Sequence, residues 1–222
     1  MKSEAIEDYL KAIYKIQRED GRVSTSMLAR SLSVTPASAS AMIKKLAKLG
    51  LVVHRPYRGV ILTRKGQKIA MTVLRQHRLL ELYLVHKMGL PWDKVHAEAD
   101  KLEHALSEDL EDRIDLLLGH PATDPHGAPI PDRDGSVTEW AIIRLSDLVP
   151  GQSATVSEIE DHDPELLRYA ASKGLLPKTR ISVRAIEPFD GPITVFVGGS
   201  EYSIGREAAC CIYVTDIGIN SQ

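Results

Sequence analysis

His96, Asp100, Glu103 and His104 stand at relative positions 0, 4, 7 and 8. At about 100° per residue of helix, their side chains fall within about one third of the circumference. Imidazoles and carboxylates converging from one helix face can hold a divalent cation, so the spacing admits a metal site. A solvated face has the same pattern, because acids and histidines ordinarily meet water. A further pair, His77 and Glu81, is spaced i, i+4 and shares a helix face. Alone, such a pair is more often a surface hydrogen bond than a pair of ligands.

The elements around these residues narrow the choice. The chain has 222 residues, 43% hydrophobic and 26% charged, as in a soluble globular protein of one large domain or two small ones. Residues 1–75 hold 15 Lys/Arg against 5 Asp/Glu, a local +10, and the remainder holds 13 against 25, a local −12. From Gly21 to Arg75 there are eleven basic residues and no acid. Such a segment is an electrostatic footprint for a polyanion, most often nucleic acid, while the acidic remainder suits cations. The N-terminus MKSEAIEDYL lacks an apolar signal region and no apolar run is long enough to cross a bilayer, which predicts a cytoplasmic protein with no membrane partner. Cys210 and Cys211 are adjacent, giving neither a spaced metal motif nor a disulfide framework.

The basic half reads as a winged helix-turn-helix. EAIEDYLKAIYKIQRE places Ile6, Tyr9, Leu10, Ile13 and Ile16 on one helical stripe, and a turn follows at Asp20-Gly21. STSMLARSLSV predicts a short helix capped by Ser24 or Thr25. TPASASAMIKKLAKLG predicts a recognition helix, with Thr35 as N-cap, Pro36 at the first helical position and Gly50 past the end. Met42, Ile43, Leu46 and Leu49 can pack inward, leaving Ala37, Ser38, Ser40, Ala41, Lys44 and Lys45 outward. Small and hydroxyl side chains near the helix start allow approach to base edges, and lysines farther along reach phosphates. LVVHR and GVILT predict a hairpin around PYRG that carries Arg55, Tyr57 and Arg58.

A long helix is expected from about Thr63 to Lys87, another from about Trp92 to His104, and a third from about Ser107 to Leu118 with Leu110, Ile114, Leu117 and Leu118 as its apolar stripe. These carry more apolar surface than a winged helix needs, which points to a dimer interface. HPATDPHGAPIPDRDG is a linker or an ordered loop. AIIRLSDL, PGQSATVSEI, TRISVRAIEP, ITVFVGG, EYSIG and CCIYVTDI read as short strands of a small β-barrel, with LLRYAASKG as its one helix. The fold class is therefore α+β. Its expected parts are a DNA-binding domain over 1–63, a helical metal-binding and dimerisation domain over 64–119, a linker over 120–139 and a β-domain over 140–222.

EDYLKAIY, YRGVILTRKG, QHRLLE, KVHAEADKLEH, DPHGAPIP and LSDLVPGQSATV, in that order, resemble the diphtheria toxin repressor / manganese transport regulator family of metal-dependent transcriptional repressors. The match spans nearly the whole chain and includes the SH3-like C-terminal domain (the ferrous-iron-transport A type) of the family's longer members. The resemblance implies a repressor of metal-uptake genes that binds operator DNA as a homodimer. It implies a first metal site from Asp8, Asp100, Glu103 and His104. Asp8 and Asp100 stand where iron-type members have Met and Cys, and hard carboxylates suit Mn2+ better than sulfur does, with Fe2+ as the alternative ion. Short manganese-type members have Glu one helical turn after the first Asp; here it is Lys11, which counts against a two-manganese cluster. A second site is implied from His77, Glu81 and His96, closed by Glu158 and Asp161. Some members instead pair the helical Glu with two linker residues, here Asp124 and His126.

Other function classes fit less well. There is no HExxH and no Ser or Cys nucleophile beside a placed His, which counts against a hydrolytic metalloenzyme. A metal-storage or redox role has no use for an acid-free DNA-binding segment. A winged-helix regulator with an organic effector would leave the carboxylates without a task, so no organic ligand is expected.

Overall fold

The computed structural model describes residues 3–55, 59–138 and 143–219, and the chain divides into two compact units. The first unit comprises Met1–Gln76, Glu103–Leu106 and Pro131–Val137. Helix α1 (Glu4–Asp20) buries Tyr9, Leu10, Ile13 and Ile16 of the expected stripe, with Ile6 partly buried and Ala12 added, and ends where Gly21 turns left-handed at φ 67°. Helix α2 (Thr25–Ser31) is capped by Ser24, whose side chain accepts the Met27 N–H. Helix α3 (Pro36–Lys48) is capped by Thr35, with Pro36 in its first turn where no intrahelical N–H is needed.

Strands β1 (Val52–Arg55) and β2 (Gly59–Leu62) pair antiparallel from Val52↔Leu62 to Arg55↔Gly59. Gly59 is at φ 75°, and a Cβ there would lie 2.1 Å from the Val23 carbonyl oxygen, so no other residue lets the wing close on Val23. Tyr57 and Arg58 lie outside the described residues. Of the four α3 residues expected inward, Ile43 and Leu46 are buried and Met42 is partly buried, but Leu49 is exposed because the helix has already ended at Lys48. Ala39 takes an inward place instead.

Helix α4 (Arg64–Met88) begins in the first unit and ends in the second, which comprises His77–Leu102, Ser107–Ile130 and Thr138–Gln222. The helix expected to run unbroken from Trp92 to His104 is shorter. Helix α5 covers Val95–Leu102, and Glu103–Ala105 form a 3-10 turn. A 3-10 turn has about three residues per turn rather than 3.6, so the helical spacing assumed for Glu103 and His104 does not hold there. Helix α6 (Glu108–Leu118) is capped by Ser107 and closed by left-handed Gly119. It buries Ile114 but exposes Leu110, Leu116 and Leu117.

The segment from 120 to 131 is ordered. Asp124 N–H bonds to Ala128 O, Ile130 N–H bonds to Ala122 O, and Thr123 bridges Pro129. Gly127, at φ 93°, lies against the backbone of Ser157, where a Cβ would be 1.9 Å from the carbonyl oxygen. The C-terminal part holds strands β3 (Ile143–Arg144), β4 (Gln152–Ile159), β5 (Arg180–Ile186), β6 (Ile193–Val197), β7 (Ser200–Ile204) and β8 (Ile212–Ile219). They form an antiparallel sheet in the order β3-β8-β4-β5-β6-β7, with irregular register in β4·β8 and β5·β6.

Helix α7 (Pro164–Ser172) is the expected helix, and α8 (Arg206–Cys210) is an additional one. The residues LSD, expected in a strand, are a 3-10 turn, and Cys210 ends α8 rather than opening a strand. Glu207, Ala208 and Ala209 are good helix formers, and this propensity overrides the apolar run that follows. Among the described residues no helix is long and apolar enough to cross a membrane.

Candidate metal centres and DNA-binding face

Of the four residues that share one helix face in the sequence, Glu103 and His104 meet α1, and His96 and Asp100 contact His77. In the first unit, Glu103 and His104 on the 3-10 turn meet Glu7, Asp8 and Lys11 on α1. His104 Nε2 lies 2.8 Å from Asp8 Oδ1, and its Nδ1 lies 2.8 Å from Glu7 Oε2. Lys11 Nζ donates to Glu103 Oε1 at 2.6 Å, with the Glu103 side chain fully buried. Asp8, Glu103 and His104 each offer a ligand atom within 4.8 Å of the others. Burial raises Asp8 above its ordinary range despite the opposing pull of His104 and Lys11. Burial alone would lower His104, but the Glu7 hydrogen bond and the charges of Asp8 and Glu103 raise it. Sequence reasoning missed Glu7. It fixes the His104 ring through Nδ1, leaving Nε2 toward Asp8. Its spacing of three residues before the α1 stripe residue Leu10 gave no signal, because the partner is 97 residues away.

In the second unit, α4 presents His77 and Glu81, both with fully buried side chains. Glu81 Oε1 lies 3.0 Å from His77 Nε2 and 3.1 Å from His96 Nδ1. Asp161 Oδ2 is 3.4 Å from His96 Nδ1, and His77, Glu81, His96 and Asp161 gather ligand atoms within 4.8 Å. Glu158, expected beside Asp161, is buried at the end of β4 and joins neither this group nor the next. Asp100, expected with Asp8, lies with its Oδ1 3.3 Å from His77 Nδ1 and its Oδ2 3.6 Å from His96 Nε2.

The other carboxylate oxygen of Glu81 faces the alternative pair. Glu81, Asp124 and His126 gather ligand atoms within 4.8 Å, all buried. His126 Nε2 lies 2.8 Å from the Trp92 carbonyl oxygen, which can only accept, so Nε2 carries the proton and the ring stacks on Trp92. Asp124 Oδ1 accepts the N–H groups of His126 and Ala128. What remains is Glu81 Oε2, Asp124 Oδ2 and His126 Nδ1, three buried atoms without a hydrogen-bond partner.

Buried acceptors facing one another need either extra protons or a cation between them. Protons can serve: burial and the Glu81 charge push Asp124 up to about 7, and the charge of the Glu81 carboxylate, whose Oε2 lies 3.7 Å from His126 Nδ1, outweighs burial to push His126 up to about 9. Glu81 itself is held low despite its burial, by His77, His126 and His96. Arg78 Nε, 3.6 Å from Asp124 Oδ2, balances part of the charge. Every donor in these groups is oxygen or nitrogen, so among the described residues the sites fit a hard or borderline divalent cation rather than a thiophilic one.

On α3, Ala37, Ser38, Ala41, Lys44 and Lys45 are exposed and Ser40 is half-buried; Arg55 on the wing is exposed. Thr35 Oγ1 accepts the Ser38 N–H at 3.2 Å and lies 2.9 Å from Ser38 Oγ, so the capping hydroxyl and the first outward hydroxyl form one unit. His54, His86, His120 and His162 are exposed.

Comparison with known proteins agrees with this layout. Residues 1–60 match the family described as the iron dependent repressor, N-terminal DNA binding domain. Residues 63–132 match its metal binding and dimerisation domain, and residues 143–216 match the FeoA domain. The chain is 31% identical to the iron-dependent repressor IdeR of Mycobacterium leprae over 95% of this chain and 96% of that protein. It is 36% identical to the HTH-type transcriptional regulator MntR of Bacillus subtilis, over 53% of this chain and 82% of the relative. A solved structure of a manganese-dependent transcriptional repressor in complex with manganese superposes with a TM-score of 0.90 at 43% identity, covering 94% of this chain and 98% of that one. With its DNA-binding, metal-binding and FeoA domains all matched in order, the chain is a DNA-binding regulator rather than an enzyme, and it belongs to the diphtheria toxin repressor / manganese transport regulator family of metal-dependent transcriptional repressors.

Proposed function

We propose that this chain is a manganese-responsive repressor of metal-uptake genes, acting in the cytoplasm as a homodimer on operator DNA. The observation that carries this reading is the convergence within 4.8 Å of Glu103 and His104 with Asp8, which stands on an α1 whose other face packs into the winged-helix core. A bound divalent cation supplies the charge that lets these carboxylates share one place. Asp8 and Glu103 then tie α1 to the 3-10 turn, while Glu7 holds the His104 ring with Nε2 directed at the cluster. Because α1 packs with α2 and α3 in one core, fixing α1 limits the motion of α3, whose exposed small residues and lysines suit a major groove. Coupling of this kind is typically worth about 1–3 kcal/mol.

His77, Glu81, His96 and Asp161, or Glu81, Asp124 and His126, would hold an ion in the second unit. An all-oxygen-and-nitrogen donor set accepts Fe2+ as well as Mn2+, so the preference for Mn2+ rests on the absence of sulfur from these groups. The homodimer reading rests on Leu110, Leu116 and Leu117, exposed on α6 at 51%, 62% and 55%. Titrating metal-free protein with Mn2+ and with anaerobic Fe2+, while following binding to selected operator DNA, tests the reading. Binding that is equally tight with and without either metal would sink it.

A further inference from the structure

We propose that Arg64, Lys65 and Lys68, on the first two turns of α4, form a second phosphate-binding track that grips operator DNA beside the recognition helix. This rests on the reading of α3 as the face that meets DNA. The seat of α4 makes the track continuous with α3. Thr63 donates its hydroxyl to the Gly50 carbonyl oxygen at 2.8 Å, and its N–H bonds to Leu51 O at 3.0 Å. The same hydroxyl accepts the Gly66 N–H at 3.2 Å and so caps α4. A Cβ on Gly66 would lie 2.1 Å from the Leu51 carbonyl oxygen, so the first turn of α4 sits directly on the chain that leaves α3. Lys45 and Lys48 in the last turn of α3 are exposed, as are Arg64, Lys65 and Lys68. These cations are carried by two helix ends locked to one junction, in a stretch from Gly21 to Arg75 that holds no acid.

The fold does not account for the three cations on α4. The N-terminal end of a helix carries partial positive charge and favours acids in its first turn. Helix α1 has Glu4 and Glu7 there, α6 has Glu108, Asp109 and Glu111, and α7 has Glu165. Helix α4 has no acid in its first turn and begins with Arg64 and Lys65. Among the described α-helices only α2 and α3, the helix-turn-helix pair, share that lack. Lys68 adds to the conflict. It stands i, i+4 from Arg64 and i, i+3 from Lys65, where like charges repel. Lys45 and Lys48 need no such account, because cations suit a helix C-terminus. A local rule broken at three exposed positions, with no packing gained, marks a functional surface. A polyanion relieves the conflict, and the patch is joined to the helix that meets DNA, so the polyanion is the backbone of the same duplex. Ser38 and Lys48 are ten residues apart, about 15 Å along a helix, so the patch reaches phosphates other than those at the start of α3. Such contacts fix position without reading sequence.

The experiment uses the full chain with Mn2+, as parent, Lys68→Ala, Lys44→Ala, the acid pair Arg64→Glu with Lys65→Glu, and the charge-keeping pair Arg64→Lys with Lys65→Arg. Binding to operator and to unrelated DNA is titrated across salt concentrations. Ethylation interference maps the phosphates that each protein needs, and calorimetry gives the unfolding midpoint. Lys68→Ala is expected to reduce the salt slope by about one unit and the acid pair by about two or more, on both DNAs alike. Phosphates needed by the parent should drop out of the acid pair's map, and they should differ from those that drop out in Lys44→Ala. The acid pair should at the same time raise the unfolding midpoint by about 1–4 °C, because it relieves the helix end. The charge-keeping pair should match the parent in all three measurements. An acid pair and a Lys68→Ala variant with the parent's salt slope and interference map overturn the proposal. A midpoint that falls in the acid pair overturns it too, since the cations would then serve the fold. If Lys44→Ala changes nothing while the acid pair weakens binding, the track stands and the assignment of α3 fails.

Discussion

The two clusters are built on opposite electrostatic plans. Around His104 the charges are answered within the chain: Lys11 pairs with Glu103, and the two imidazole nitrogens face Glu7 and Asp8. Asp8 remains 40% exposed, so solvent and ions reach this cluster. Around Glu81 the reverse holds. Glu81 Oε2, Asp124 Oδ2 and His126 Nδ1 are buried without a hydrogen-bond partner, and the His126 ring is stacked on Trp92. A cluster whose charges are partly answered and that is half-open is suited to exchange ions and report them. A cluster that is closed and under-balanced is suited to keep an ion as part of the fold. The sensing step should therefore depend on the first and thermal stability on the second.

The largest expected effect separates them by function. Glu103→Ala and His104→Ala should lose metal-activated operator binding while the protein stays folded. Outer-shell partners of ligands typically cost about 10–100-fold in metal affinity, so Glu7→Ala should fall in that range and the two ligand variants beyond it. Operator titrations at limiting Mn2+ measure this. If Glu7→Ala costs more than Glu103→Ala, the roles in the first cluster are reversed.

The second expectation concerns stability. An ion at about 100 times its dissociation constant stabilises by about 2.7 kcal/mol, which for a chain of this size is about 5–10 °C in the unfolding midpoint. Adding Mn2+ should give a rise of that order, and His126→Ala or Asp124→Asn should abolish most of it. Glu103→Ala should leave most of it. Equal loss in both sets of variants, measured by calorimetry, would erase the contrast between the clusters.

Replacing the two hard ligands sharpens the comparison at Asp100. Asp8→Met should raise the Mn2+ concentration needed for operator binding by about tenfold or more while anaerobic Fe2+ still activates. Asp100 contacts His77 and His96 in this structure, so Asp100→Cys should act chiefly on the metal-dependent midpoint. If it instead matches Asp8→Met in the operator titration, Asp100 serves the first cluster when metal is bound.

A smaller effect follows from protonation. His126, raised from 6.5 to about 9, holds its proton more tightly folded than unfolded, so its contribution is complete below pH 6.5 and lost as pH rises through 9. Asp124, raised from 3.8 to about 7, has the same sign, and its share fades between pH 3.8 and 7. Metal-free protein should therefore lose stability as pH rises from 6 to 9. The gain on adding Mn2+ should grow over the same range, because binding must displace these protons. A metal-free midpoint that climbs with pH would show that the orphaned atoms do not hold protons.

The smallest expected effect lies on the DNA face. Lys44→Ala should weaken binding to all sequences alike and reduce the salt slope by about one unit, with metal counts unchanged in both clusters. Ser38→Ala should change which operator is preferred, and uniform weakening would show instead that the hydroxyl acts only through the Thr35 cap.

Sequence alone determined the parts that depend on neighbours in the chain. The α1 stripe, the Ser24 and Thr35 caps, Pro36 and the glycine stops are written in local periodicity and backbone preference, and the structure has them where they were expected. The donor types were legible too, since Asp8, Glu103, His104, His77 and Glu81 are hard or borderline ligands whatever surrounds them. Only the tertiary structure decided how they are shared out. His96 and Asp100 turn to His77 on α4, while Glu103 and His104, on the 3-10 turn, meet α1. A segment whose composition reads as linker became the buried wall that carries Asp124 and His126. Lys11, Glu7 and Trp92 gave no local signal, because their partners stand 92, 97 and 34 residues away. Helical periodicity acts over a few residues, whereas the burial that gives a carboxylate or an imidazole its partner is settled only when distant segments pack.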